Sequence, residues 1–151
     1  MTTIGKLLSN KGYQIWSTRP DATVLDALKL MAEKNIGALI VLDGETLVGI
    51  VSERDYARKV ILLGKSSKDT LVSAIMTPRV ICVHADQNVE ECMALMTEKH
   101  IRHLPVLGAD NRVIGVVSIG DVGRTIILQQ QFTIANLEHY IVGSEASFFR
   151  T

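Results

Sequence analysis

The chain has little of what staples, kinks or stacks a protein. It carries two cysteines, three prolines and one tryptophan, and aromatic residues make up 5% of it. Cys82 and Cys92 lie in a strand-like and a helix-like apolar setting, which suits reduced core thiols better than a disulfide framework. With no Cys or His partner at ligand spacing, a metal site is not expected. Charge of one sign is missing as well, since 16 basic residues balance 16 acidic ones. That excludes the basic field that drives sequence-independent nucleic-acid binding, and no block of like charge reads as a tail. No run approaches the roughly 18 apolar residues of a membrane span. The opening Met1-Thr2-Thr3-Ile4-Gly5-Lys6 has no charged segment followed by an apolar one, so a cytoplasmic protein is expected. What the chain does have is 151 residues that are 47% hydrophobic, enough for one domain with a real core.

That core is written twice. Leu47-Val48-Gly49-Ile50-Val51-Ser52-Glu53-Arg54-Asp55 returns as Val113-Ile114-Gly115-Val116-Val117-Ser118-Ile119-Gly120-Asp121. A shift of 65 lays Asp86 on Asp21, Val89 on Val24, Met96 on Met31 and Ile101 on Ile36; one extra residue around Ala109-Asp110-Asn111 makes the shift 66 afterwards. Neither copy can bury its apolar face alone. The two are therefore expected to pack face to face about a pseudo-twofold axis.

Within the first copy, Ile4 to Leu8 and the turn Ser9-Asn10-Lys11-Gly12 form a lead-in, and Tyr13-Gln14-Ile15-Trp16-Ser17 alternates as a half-buried strand would. Thr23-Val24-Leu25-Asp26 has the form of a capping box and opens a helix that ends near Asn35. Ala38 to Leu42 and Leu47 to Val51 read as a hairpin about Asp43-Gly44, and Ser52 caps a helix from about Glu53 to Leu63, closed by Gly64. After Asp121 a helix through about Gln131 precedes a second piece, Thr133 to Tyr140, with Ile134, Leu137 and Ile141 on one side and Gly143 as its stop; Phe148-Phe149 is expected to find a surface. Met31, Met93 and Met96 are at helical spacing and read as core. The predicted organisation is 8–64 for the first repeat, 65–76 for a linker and lead-in, 77–130 for the second repeat and 131–151 for a C-terminal helix and tail.

Ser-x-x-Asp at a strand-to-helix joint places a hydroxyl and a carboxylate where backbone N–H groups are unpaired, a docking point for an anionic or polyhydroxy ligand. The same four residues can equally be a capping box worth about 1 kcal/mol, and the two roles are compatible. Gly64-Lys65-Ser66 ends like a P-loop, but Lys59 stands at the first glycine's position and no strand precedes it. No Ser/His/Asp or Cys/His arrangement and no candidate base stands out, so turnover is not expected; His100 and His103 beside Arg102 suit anion binding better than proton transfer.

The duplicated strand-helix-strand-strand-helix unit, with Gly-h-h-Ser-x-x-Asp closing each copy and Ile101-Arg102-His103-Leu104-Pro105-Val106 in the second, resembles the cystathionine-β-synthase (CBS) domain. The resemblance covers about residues 8–130 and is to a stand-alone CBS pair, a Bateman module. It implies an α/β (α+β) fold of two β-α-β-β-α repeats packed sheet to sheet, and adenine nucleotides or adenosyl compounds bound between them: AMP, ADP, ATP or NAD(H). It implies one site using Ser52, Arg54 and Asp55, with the base against Thr77, Val80 and Ile81 and with Ile101, Arg102 and His103. The other would use Ser118, Gly120 and Asp121, with Ile15, Trp16, Ile36, Gly37 and Ala38. A carboxylate matches a cis-diol, and Arg or protonated His matches phosphate. Because Arg102-His103 corresponds to Gly37-Ala38, and Arg54 to Gly120, phosphate is expected chiefly near Arg102. The resemblance further implies a homodimer, whose candidate surface is Ile61-Leu62-Leu63 with Ile126-Ile127-Leu128, and an effector protein still to be identified. The competing expectation is a structural dimerisation module with empty clefts.

Overall fold

The computed structural model describes residues 2–140, with side chains through residue 131. The elements run α1 (Ile4–Lys11), β1 (Ser17–Thr18), α2 (Val24–Lys34), β2 (Ala38–Asp43), β3 (Thr46–Ser52), α3 (Glu53–Tyr56) continued by a π-helical turn (Ala57–Ile61), α4 (Val72–Ile75), β4 (Val83–His84), α5 (Val89–Lys99), β5 (His103–Leu107), β6 (Val113–Ser118) and α6 (Ile119–Tyr140). They build an α+β molecule with a pair of three-stranded sheets, ordered β1-β2-β3 and β4-β5-β6. In each sheet the first pairing is parallel and the second antiparallel, and each hairpin slips register once, between Val41 and Leu42 or between Val106 and Leu107.

The duplicated helices obey local chemistry. Thr23 Oγ1 accepts the Asp26 N–H at 3.1 Å to start α2, and Asn88 Oδ1 accepts the Glu91 N–H at 2.8 Å to start α5. Both helices end on a left-handed residue at the same repeat position, Asn35 (φ 55°) and His100 (φ 56°). These turns aim the starts of β2 and β5 toward each other.

Packing departs from the sequence reading in one consequential way: each lead-in helix serves the other copy's core. Ile4, Leu7 and Leu8 of α1 are buried with Val83, Val89, Cys92, Met96, Leu104, Val106, Val117 and Val122. Val72 and Ile75 of α4 are buried with Val24, Ala27, Met31, Leu39, Val41, Val51 and Val60. Matching backbone bonds hold the exchange, Ile4 N–H to Gln87 C=O and Val72 N–H to Ala22 C=O, each 2.8 Å. A reciprocal swap of this kind is what a pseudo-twofold relation between the copies produces.

Other expectations need correction. The strand expected over Tyr13–Ser17 is only Ser17–Thr18, since β1 finds just two partners, Ile40 and Val41, on the edge of its sheet. The helix α1 runs past Leu8 to Lys11 before Gly12, at φ 112°, ends it. The helix after Ser52 changes to π geometry at Ala57. The C-terminal helix is one unbroken element from Ile119 to Tyr140, not two pieces. The side-chain stripe of Ile134 and Leu137, Ile141, the stop at Gly143 and Phe148-Phe149 lie outside the described residues.

Candidate functional site

The Ser-x-x-Asp joints are full reciprocal capping boxes in both copies. Asp55 N–H donates to Ser52 Oγ (3.1 Å) while Asp55 Oδ2 accepts the Ser52 N–H (2.9 Å) and hydroxyl (3.0 Å). In the second copy Asp121 N–H donates to Ser118 Oγ (3.1 Å) and Asp121 Oδ2 accepts the Ser118 N–H (2.9 Å). The first helical residue after each joint is tied to the residue just before the adjacent strand, Glu53 N–H to Gly37 C=O (3.0 Å) and Ile119 N–H to Arg102 C=O (2.8 Å). The capping role is thus real, and it fixes both carboxylates at the mouths of two clefts.

The first cleft is a cavity of about 540 Å³, within the range of small-molecule sites. Ser52, Arg54 and Asp55 form one wall, Thr77, Val80 and Ile81 the second, and Ile101, Arg102 and His103 the third. The second wall is held by a two-bond bridge to β3, Thr77 N–H to Ile50 C=O (2.8 Å) and Ile50 N–H to Thr77 C=O (3.0 Å). All nine residues assigned to this cleft from sequence therefore surround one space. Glu53, Arg58, Lys59 and Arg79 join them unforeseen, as do Gly37 and Ala38, which were assigned to the other cleft, while His100 was already marked as suited to anion binding. Arg58 and Lys59 were detectable, for they follow Asp55 by three and four positions, one helical turn on; Arg79 had no local signal.

Charge in this cleft is one-sided. Four arginines and Lys59 face Glu53 and Asp55. Lys59 is engaged, reaching Asp55 Oδ1 at 3.2 Å and Ile75 C=O at 2.8 Å. Among the described residues the side chains of Arg54, Arg58, Arg79 and Arg102 have no hydrogen-bond or ion-pair partner, which leaves their donors to an anion.

The second cleft, about 530 Å³, is lined by Ser118, Asp121, Trp16, Ile36, Gly37 and Ala38 as expected. Ile15 and Gly120 are not on its walls. Lys11, Gln14, Lys34, Asn35 and Val116 are, together with His103, which was assigned to the first cleft and in fact borders both. Lys11 arrives because α1 is longer than expected, and its ammonium meets Asp121 Oδ2 at 2.7 Å. Burial alone would raise the Asp121 carboxyl, but the Lys11 hydrogen bond and the Ser118 N–H outweigh it and hold the pKa below the ordinary value. Burial pushes the His103 imidazole down; the charges of Lys11 and Arg102 lower it further, against the pull of Asp121.

Other chemistry is poorly provided for. Burial, with Glu91 beside it, pushes the Cys92 thiol up to about 11, and burial also raises Cys82, so neither is a ready nucleophile. Among the described residues no group of three His, Cys, Asp or Glu could hold a metal ion, and no helix is long and apolar enough to cross a membrane.

Comparison with known proteins agrees with this layout. The family profile described as CBS domain matches residues 13–61 and 72–127, one match for each copy. A solved structure of a CBS-domain protein from Burkholderia ambifaria MC40-6 is 51% identical and superposes with a TM-score of 0.82, over 88% of this chain and 99% of that one. The CBS domain-containing protein CBSX3, mitochondrial, of Arabidopsis thaliana is 42% identical over 152 residues, spanning 94% of this chain and 73% of the relative. The CBS domain pair of protein MJ0100, solved in complex with 5′-methylthioadenosine and S-adenosyl-L-methionine, is 25% identical with a TM-score of 0.73, over 85% of this chain and 98% of that one.

Proposed function

The chain belongs to the CBS domain family, and from that premise we propose that it is a regulatory module whose first cleft binds an adenine nucleotide. One observation carries the reading: Asp55, a hydrogen-bond acceptor suited to a ribose diol, and four arginines with no partner among the described residues, suited to phosphate, line the same 540 Å³ space with an apolar wall of Val80, Ile81 and Ile101 between them. AMP, ADP, ATP and NAD(H) all present those groups, and the adenosyl ligands of the MJ0100 pair share the adenosine part. The module is not an enzyme in this reading. It passes occupancy on through a partner protein or through self-association, the ligand favouring one arrangement over another.

Self-association as a homodimer has a candidate surface. Ile61, which ends the π turn, and Leu62 and Leu63 after it are 55%, 75% and 62% exposed, and Ile127 and Leu128 of α6 are 55% and 58% exposed. Ile126, next to Ile127, is partly buried against the second core and offers less to such a surface. Sedimentation of the wild type and of Leu62→Asp should give a dimer and a monomer; a wild-type monomer at all concentrations would remove the homodimer.

Thermal melting with AMP, ADP, ATP, NAD and S-adenosylmethionine tests the ligand. A ligand at one hundred times its Kd adds roughly 2.7 kcal/mol to stability and raises Tm accordingly. Arg102→Ala should weaken binding about tenfold or more in calorimetry, the effect of one lost charge-assisted contact. Unchanged affinity would remove Arg102 as the phosphate ligand. The reading as a dimerisation module with empty clefts has an observation of its own, that each aspartate is already satisfied by a cap and a lysine. A melting temperature unmoved by any of the five compounds would favour it.

A further inference from the structure

The two clefts descend from one repeat, yet the chain itself fills them differently. In the first copy the Ile50 carbonyl is taken by a backbone N–H, that of Thr77, at 2.8 Å. The matching carbonyl of the second copy, Val116, is taken instead by the Lys11 ammonium at 2.7 Å, which also sits 2.7 Å from Asp121 Oδ2. The cause is helix length. After its four residues α4 stops at Ile75, whereas α1 runs for eight and carries Lys11 over the mouth before Gly12 turns the chain away.

The consequence is a partition. In the first copy Asp55, Arg58 and Lys59 line one continuous cavity. Their counterparts at a shift of 66 are Asp121, Arg124 and Thr125, and these are divided. Asp121 faces the 530 Å³ cleft, while Arg124 and Thr125 line a separate groove of about 490 Å³ between α1 and α6. Lys11 and Asp121 are the two residues common to both spaces, so their contact is the wall between them. A second lysine covers the remaining recognition feature: the Lys34 ammonium lies 4.2 Å from the centroid of the Trp16 ring. Carboxylate and ring face, the two groups that a nucleoside would use here, are each already occupied by a cation of the same chain.

We propose that Lys11 is a specificity-determining residue that closes the second cleft to ribose, by holding Asp121 and Val116 in place of a ligand. Lys59 also meets Asp55, at 3.2 Å, but it comes from one turn along the same helix and leaves Asp55, Arg58 and Lys59 in one cavity; Lys11 comes from α1 across the mouth, and its contact divides the second cleft from the groove of Arg124 and Thr125. The chain in its natural form then takes one AMP, in the first cleft. This rests on the proposed function of that cleft.

Trp16, the only tryptophan, lines the second cleft and not the first, so direct contact of a ligand with its ring reports on the second. Titration of the wild type with AMP should give one site per chain by calorimetry and no change in tryptophan emission. Lys11→Met, which keeps the aliphatic stem and removes the charge, should give two sites and an emission change with the second. Lys11→Arg, which keeps the charge, should stay at one, and Lys11→Met with Asp121→Asn should lose the gained site; melting curves establish that each variant is folded. Two sites in the wild type, or one site in folded Lys11→Met with emission unmoved, would overturn the role of Lys11 while leaving the first cleft as proposed. No AMP bound by any variant would overturn the first-cleft reading, and this proposal with it.

Discussion

Gly37, Ala38 and His103 line both clefts, and His103 is the one of them that titrates, its protonation set by groups from both. Burial and the cations Lys11 and Arg102 keep it neutral at a lower pH than a free imidazole. A phosphate placed beside Arg102 reverses that balance and raises the pKa, so binding takes up a proton. Affinity for AMP should therefore increase as pH falls from about 7.5 toward 6, and calorimetry in buffers of different ionisation enthalpy should register proton uptake that His103→Gln abolishes. Identical apparent enthalpies in all buffers would separate His103 from the phosphate. Without ligand the sign is opposite. A histidine with a depressed folded pKa contributes stability that is present above the unfolded value of about 6.5 and is lost as pH falls from there through the folded value. Asp121, also depressed, contributes stability that is present above the ordinary carboxylate value and is lost only at lower pH, as its own pKa is crossed. The free protein should thus weaken in two acid steps, of which His103→Gln removes the upper one.

At the scale of elements, the glycines that recur at one repeat position show why α1 and α4 lie where they do. A Cβ on Gly49 would stand 2.6 Å from Met76 Sδ and 3.0 Å from the Thr77 carbonyl oxygen; one on Gly115 would stand 2.8 Å from Leu8 Cδ2. Only a bare backbone lets the lead-in segments cross β3 and β6 so closely. Gly49→Ala should cost about 1–3 kcal/mol in chemical denaturation, the usual effect of overpacking. It should also weaken AMP binding, because Thr77 must shift and with it the wall that runs to Ile81. Gly115→Ala strains Leu8 and should destabilise comparably without changing first-cleft affinity; equal binding losses in both variants would show the effect to be one of general stability. Sequence reading reached the elements with local signatures: the capped starts at Thr23 and Ser52, the hairpin closed at Gly44, and the repeat that pairs Asp55 with Asp121. It missed what distant partners decide. The exchange of α1 and α4 is written in no local pattern, since Ile4 and Leu8 look alike whichever core receives them. The extra turn that delivers Lys11 to Asp121 was hidden under Ser9-Asn10-Lys11-Gly12, a sequence that reads as a turn.

For the whole molecule, the exchange means that each core is completed by a segment from outside its own repeat. The first core takes Val72 and Ile75 from beyond the first hairpin and helix, and the second core takes Ile4, Leu7 and Leu8 from the chain's beginning. Each apolar side chain buried this way is worth roughly 1.5–3 kcal/mol, so a repeat cut free loses several kcal/mol against a net stability of only about 5–15 kcal/mol for a whole domain. Residues 13–64 expressed alone should show no cooperative unfolding transition, while residues 2–131 should unfold in one step. Residues 13–76, which restore α4 to the first core, are the decisive intermediate. They recover Val72 and Ile75 but still lack the second sheet, whose β-start at His103 closes over Gly37 with 3.8 Å between the imidazole and the place of a glycine Cβ. Recovery of a sharp transition in 13–76 would locate the cooperativity within one exchanged unit. Its absence would place it in the contact between the two β-starts, and a ligand lodged between the repeats would then stabilise both cores at once.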